Sequence, residues 1–279
     1  MDTCAWHYYN HAMIPTTTPV EEVDTNVIHD GSIWKTGGAT KPLLARWTSD
    51  FDCGFETNWW YVIKDTPFDI SVLKAKRRYE INKGIKFFDV RRIEPFDYGE
   101  KLYHVQIAAF SAYPEKYRPK VDKEAFLGSV KTWSEACVFG AFSKETEELV
   151  GYAFLSKPRN GWVDFSVLKT IPEYEKFALN AALVAGVLNY YEDFLSSGGI
   201  ICDGARSISH ETNFQDYLEK YFEFRKAYCT LHIEYNPKIR WIIKLLFPFR
   251  SLLLKLDNFG FMHQINGVLK MEALCRGKE

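Results

Sequence analysis

Between residues 137 and 235 the spacing of apolar residues changes period several times, and each change predicts an element. Residues 137–143 and 149–156 are short apolar runs divided by the polar Lys144-Glu145-Thr146-Glu147-Glu148, and they read as paired strands. Pro158-Arg159-Asn160-Gly161 predicts a turn, because Asn-Gly tolerates positive φ. Residues 162–168 alternate, with Trp162, Asp164 and Ser166 on one face and Val163, Phe165 and Val167 on the other. From 173 to 195 the period becomes helical through Phe177, Ala181, Val184, Leu188 and Tyr191, until Ser196-Ser197-Gly198-Gly199 ends it. Residues 200–202 predict a short buried strand leading to Asp203-Gly204. A helix over 210–222, with Ser209 at its cap, and a strand over 225–235 complete this stretch.

Upstream the pattern is less regular. Residues 1–56 are poorly periodic, and Pro15 and Pro19 exclude a helix between them. Short strands are expected at 32–35 and 42–47, joined by Gly37-Gly38. His7 and His11 read as polar packing under aromatics. Trp59-Trp60-Tyr61, flanked by Asp50, Asp52 and Glu56, reads as an extended arm laid on a sheet or as the wall of an acceptor pocket. A helix over 70–85, capped by Asp69, precedes a strand at 87–93 and helices at 98–113 and 123–134. Residues 238–256 are apolar but punctuated by Arg240, Lys244, Arg250 and Lys255, with a kink at Pro248, and a last helix covers 262–275. The expected class is α/β (α+β), a mixed, mostly antiparallel sheet flanked by helices. Three segments are expected: an arm with a basic helix at 1–86, a core at 87–236 and a helical extension at 237–279.

Composition narrows the function. With 47 % apolar residues the chain is globular, and a net charge of −1 gives no global pull toward nucleic acid. The six cysteines lie far apart without a CxxC pair, so no metal is expected, and Cys137, Cys202 and Cys229 read as small core residues. No run is apolar enough to span a bilayer, and no signal segment opens the chain, so a reducing cytoplasm is the expected compartment. Charge is concentrated at one place. Lys74, Lys76, Arg77, Arg78, Lys83 and Lys86 share one predicted helix, which reads either as a solvated face or as a site for a phosphate-bearing ligand.

The element order from 87 onward resembles the GNAT acyltransferase fold. The stretches LKAKRRYEINKGIK (73–86) and DGARSISHETNFQDYLEKYFEFRKAY (203–228) resemble its FemAB-like branch, over roughly residues 59–235. The resemblance implies acyl or aminoacyl transfer by direct attack of a bound acceptor on a carrier-linked acyl group, on a cell-envelope or glycan precursor. It places a donor carrier at the helix after the fourth core strand, where Lys176, Ala178, Asn180 and Ala181 stand and no glycine does. Acyl-CoA is the donor it implies, and an aminoacyl-tRNA is the alternative. It also implies leaving-group protonation by Tyr217 or Tyr221.

The residues themselves supply the rest. Asp203 or His210 is placed to accept a proton, since ligands of open sheets collect beyond strand ends. Asp164, Ser166, Gly204, Arg206 and Ser207 are candidate substrate contacts, together with Lys74, Arg77, Arg78 and Lys83 of the basic helix. Asp203-Gly204 also reads as a plain Asx turn, and Ser209-His210-Glu211-Thr212 as a capping run. The basic apolar tail at 238–256 reads as packing on its own domain or as contact with a membrane surface. The competing function is a binding or scaffold protein that kept the fold and lost its donor site.

Overall fold

Among the described residues ten strands make a mixed, mostly antiparallel sheet flanked by helices, the class the alternating segments predict. The computed structural model describes residues 6–35, 41–113, 115, 118–207, 213–256 and 260–277. In chain order the strands are β1 (Trp6–Tyr9), β2 (Ala12–Pro15), β3 (Leu44–Ser49), β4 (Trp59–Lys64), β5 (Phe88–Ile93), β6 (Ala136–Ser143), β7 (Leu149–Ser156), β8 (Trp162–Thr170), β9 (Ile200–Ala205) and β10 (Arg225–Tyr235). The helices are α1 (Asn26–His29), α2 (Ala75–Phe87), α3 (Gly99–Ser111), α4 (Lys123–Val130), α5 (Leu179–Tyr190), α6 (Glu192–Ser196), α7 (Asn213–Phe222), α8 (Pro237–Leu246), α9 (Arg250–Leu253) and α10 (Gly260–Cys275).

The chain divides into two compact units. The first takes Met1–Tyr61, Ala205–Thr212 and Lys226–Glu279; the second takes Val62–Gly204 and Asn213–Arg225. The boundary expected at 86/87 lies inside the second unit, and that at 236/237 inside the first.

In the first unit β1 and β2 form a hairpin that the short pattern did not predict. Asn10 and His11 take positive φ (45° and 65°) between the paired Tyr9 and Ala12, as a two-residue hairpin turn requires. β2 runs parallel to β3 through Ala12↔Leu44 and Met13↔Ala45, and β3 runs antiparallel to β10. Alternation sends Ala12, Leu44 and Tyr235 into one core with Ile243, Phe247, Leu269 and Ala273. Met13 and Ala45 enter the other core with Ile28 and Ile33. The strand expected at 32–35 is a 3-10 turn instead, because the Asp30 carboxylate accepts the Ser32 amide at 2.8 Å and bends the chain there.

In the second unit β5, β6, β7 and β8 form an antiparallel meander. Leu102 and Val105 of α3 bury against Val138, Phe142 and Tyr152, while the almost wholly apolar α5 covers the opposite face. The helix expected over 70–85 is two pieces. Asp69 caps a 3-10 turn at Ile70–Val72, and α2 starts only at Ala75.

The helix expected over 173–195 is also broken. A 3-10 turn at Pro172–Phe177 ends at Ala178, whose φ of 62° is left-handed, and α5 begins after it. Helix α2 packs on this junction through Gly84. A Cβ built on Gly84 would lie 2.4 Å from the Ala178 carbonyl oxygen and 2.9 Å from Ala182 Cβ. Helix propensity alone favours Gly84→Ala by ~1 kcal/mol, but a clash with backbone wins, because overpacking costs ~1–3 kcal/mol and the carbonyl cannot rotate away. The expected result is a lower melting temperature for Gly84→Ala in a thermal melt. An unchanged or raised one would mean that α2 and α5 do not approach this closely.

Candidate functional site

The site in the second unit starts where two strands part. β9 pairs with β8 in parallel only through Trp162↔Ile200, Val163↔Ile201 and Asp164↔Cys202. Beyond Asp164, β8 continues against β7 as far as Thr170↔Gly151. Asp203 is thus the first residue of β9 past the last paired position. Register puts Cys202 on the face of Asp164, so Ile201 and Asp203 share the face of Val163 and Phe165. The β7–β8 register slips just there: Leu155 pairs with Phe165 and Phe154 with Val167, leaving Ser166 as the extra residue of a bulge.

Asp203 is half-buried. Burial pushes its carboxyl up to about 7, against a smaller opposing effect of a hydrogen bond with the Gln215 side chain. Gln215 comes from α7, whose other residues bring aromatic rings. Phe214 meets Phe165 edge-on at 5.9 Å, Tyr217 stacks on Phe214 at 6.1 Å, and Tyr221 lies 4.7 Å from Tyr217. The Arg77 guanidinium of α2 sits 3.4 Å from the centre of the Tyr221 ring. Burial raises the Tyr217 phenol, Glu80 and Tyr221 add to this, and Arg77 opposes it, so the phenol keeps its proton at neutral pH.

The other sequence candidates separate from this group. Asp164 and Ser166 are exposed, and the Asp164 carboxylate accepts the Trp162 indole N–H at 2.8 Å on the face away from Asp203. Among the basic residues of 74–83, Arg77 reaches the aromatic cluster. Arg78 donates to the Ser71 and Leu73 carbonyls, Lys83 donates to the Lys176 carbonyl at 2.8 Å, and Lys74 is exposed at the start of α2. Around the start of α5, Ala181 is buried, the Asn180 side-chain oxygen accepts the Thr170 hydroxyl at 2.8 Å, and the Lys176 ammonium lies over Phe177. Ala178 carries the left-handed φ and faces Gly84. Gly204 closes the second unit's part of β9 at φ 106°. Arg206 and Ser207 belong to the first unit, where Arg206 donates to the Asn58 carbonyl and lies over Trp60. His210 lies outside the described residues.

Two basic residues escaped the sequence reading. Lys64 is fully buried in β4, where its ammonium donates to the Thr66 hydroxyl at 2.5 Å with Glu223 3.9 Å away, and burial pushes its pKa down. A lysine at the end of an apolar strand gives no local sign of this. Arg46, also lowered by burial, lines a cavity of about 220 Å³ in the first unit with Trp47, Trp59 and Tyr61. None of Asp50, Asp52 and Glu56 lines that cavity. The described residues hold no group of three or more His, Cys, Asp or Glu arranged for a metal ion.

The protein is similar to L-PGS from Bacillus licheniformis, at 12 % identity and a TM-score of 0.52 over 86 % of this chain and 83 % of that one. It is similar to the C-terminal DUF2156 domain of an Agrobacterium fabrum chain named as a lysylphosphatidylglycerol synthetase, at 10 % identity and a TM-score of 0.54 over 86 % and 82 %. It is also similar to FemX, at 9 % identity and a TM-score of 0.52 over 80 % of each chain. No protein-family model matches the chain, and no curated protein does. What the chain shares with these structures is the fold, a mixed, mostly antiparallel sheet flanked by helices.

Proposed function

We propose that the second unit is an acyl- or aminoacyltransferase of the FemAB-like kind, with Asp203 as its general base. The observation that carries the reading is the placement of Asp203 at the parting of β8 and β9 with a carboxyl that titrates near neutrality. A base works best when its pKa lies near the working pH. The acceptor amine or hydroxyl attacks the carrier-linked carbonyl and gives its proton to Asp203. The backbone of β8 past Asp164, where β9 no longer pairs with it, supplies the oxyanion donors in this reading. The carrier leaves with its electron pair and takes a proton from the Tyr217 phenol. No covalent enzyme intermediate is needed when both substrates are held together.

The donor in this reading is an aminoacyl-tRNA in preference to acyl-CoA. Helix α2 packs on the start of α5, and Lys83 and Asn180 are engaged there, which leaves little for a diphosphate. The name of one neighbour, a lysylphosphatidylglycerol synthetase, supports an envelope component as the acceptor. A thermal-shift series tests the donor, because a ligand that binds only the folded chain raises its melting point. The expected result is a rise with an aminoacyl-adenosine mimic of the tRNA end and none with free CoA, acetyl-CoA or longer acyl-CoAs. A rise with CoA would reverse the donor assignment, and silence from all of them would favour the scaffold reading that the glycine-free 176–181 stretch also allows.

Tyr217→Phe keeps the ring contacts and removes the proton. Transfer should slow by at least ~10-fold with little change in melting temperature, as expected for losing a general acid. An unchanged rate would remove Tyr217 from that role.

A further inference from the structure

The tail of the first unit presents an unusual surface. Helix α8 turns Ile243 into the core, with Phe247 just beyond it, against Leu44, Tyr235, Leu269 and Ala273. That packing leaves Trp241 72 % and Leu245 70 % exposed, one helical turn apart, with Ile242 beside them. The apolar exposure continues beyond the helix through Phe249, Leu252 (61 %), Leu254 and Leu256. Such a run on one side of a soluble unit marks a surface that something covers.

Charge says what covers it. Residues 237–256 contain five basic side chains (Lys238, Arg240, Lys244, Arg250 and Lys255) and no acidic one. Arg240 pairs with Glu234 of β10, and among the described residues the other four form no ion pair with a carboxylate. Beside the run lies a cavity of about 500 Å³ lined by Arg206, Arg250 and Lys270 with Ser207, Ser251 and Leu254, and among the described residues no acidic one lines it. Apolar side chains beside basic ones match a layer of acyl chains under negative headgroups.

We propose that the first unit docks on an anionic phospholipid surface through residues 237–256, and that the neighbouring cavity receives a headgroup phosphate. Trp241 and Leu245 enter the interface, the lysines meet the headgroups, and no segment crosses. Among the described residues no helix is long and apolar enough to cross a membrane. The proposal does not depend on transfer activity.

Sedimentation of the full chain with vesicles tests it. Vesicles of phosphatidylcholine with roughly a third phosphatidylserine should carry the protein into the pellet, and pure phosphatidylcholine should carry much less. The triple variant W241E/L245E/L252E alters exposed positions and should fold, which circular dichroism checks. It should bind the anionic vesicles at least ~10-fold more weakly. R250A/K270A should weaken binding to anionic vesicles and leave the phosphatidylcholine background unchanged. Any of the following results would overturn the proposal. The chain stays in the supernatant with anionic vesicles, the triple variant pellets like the parent, or the chain elutes as a dimer that the triple variant breaks while vesicles bind neither. The last result would assign the face to a second copy. A melting-point rise with inorganic phosphate alone, without pelleting, would likewise overturn it by assigning the cavity to a free anion.

Discussion

Asp203→Asn should lower transfer by ~10²–10⁴-fold, the range that a positioned general base contributes. Asn has nearly the same shape and keeps a partner for Gln215, so the fold should persist and the loss should appear in rate rather than in yield of folded protein. The pH profile separates this role from a structural one. With a carboxyl pushed up to about 7, the parent should gain activity as the pH rises through neutrality and Asp203 ionises. The variant's residual activity should lack that limb. Single-turnover rates across the neutral range, with the donor identified by thermal shift, check both points. A variant with full activity, or one that keeps the same limb, would take the base assignment away from Asp203.

The same substitution should make the protein more stable at alkaline pH. A free Asp titrates near 3.8, and burial lifts Asp203 to about 7 in the folded state. Between those values the folded chain holds a proton that the unfolded chain has released. Stability from this group is therefore complete below about 3.8 and lost as the pH rises through about 7. Above neutrality the ionised carboxyl is the strained form, and the shift corresponds to an upper value of ~4 kcal/mol. Asn carries no charge and avoids that cost. Melting curves at about pH 8.5 should place Asp203→Asn several degrees above the parent, with the gap closing as the pH falls toward about 4. A variant less stable at pH 8.5 would show that the carboxylate holds the fold together and is not a poised base. A gain in stability with a loss of rate is the signature of a group kept for chemistry at the expense of folding.

How much of this was legible beforehand depends on distance along the chain. The strands at 137–143, 149–156 and 225–235 were readable because side chains two apart share a face whatever the rest of the chain does. Asp203-Gly204 after a short apolar strand was readable for the same reason, and with it the candidate base. The hairpin of β1 and β2 was not, since four residues per strand give too few repeats to show a period. Ala178 looked like an interior helical residue because nothing beside it in sequence reports that Gly84 of α2 will press on its carbonyl.

The chain's own pattern thus determined the class of fold, the order of most strands and the residue type at the end of β9. Tertiary structure alone decided that Arg77 reaches the aromatic cluster while Arg78 and Lys83 close local carbonyls. It decided that Ser166 is a bulge, that Gln215 partners Asp203, and that Trp241 and Leu245 face outward. Periodicity is written by covalent geometry over a few residues. Partners and exposure are chosen by packing among segments tens to hundreds of residues apart, and no local stretch of sequence carries that choice.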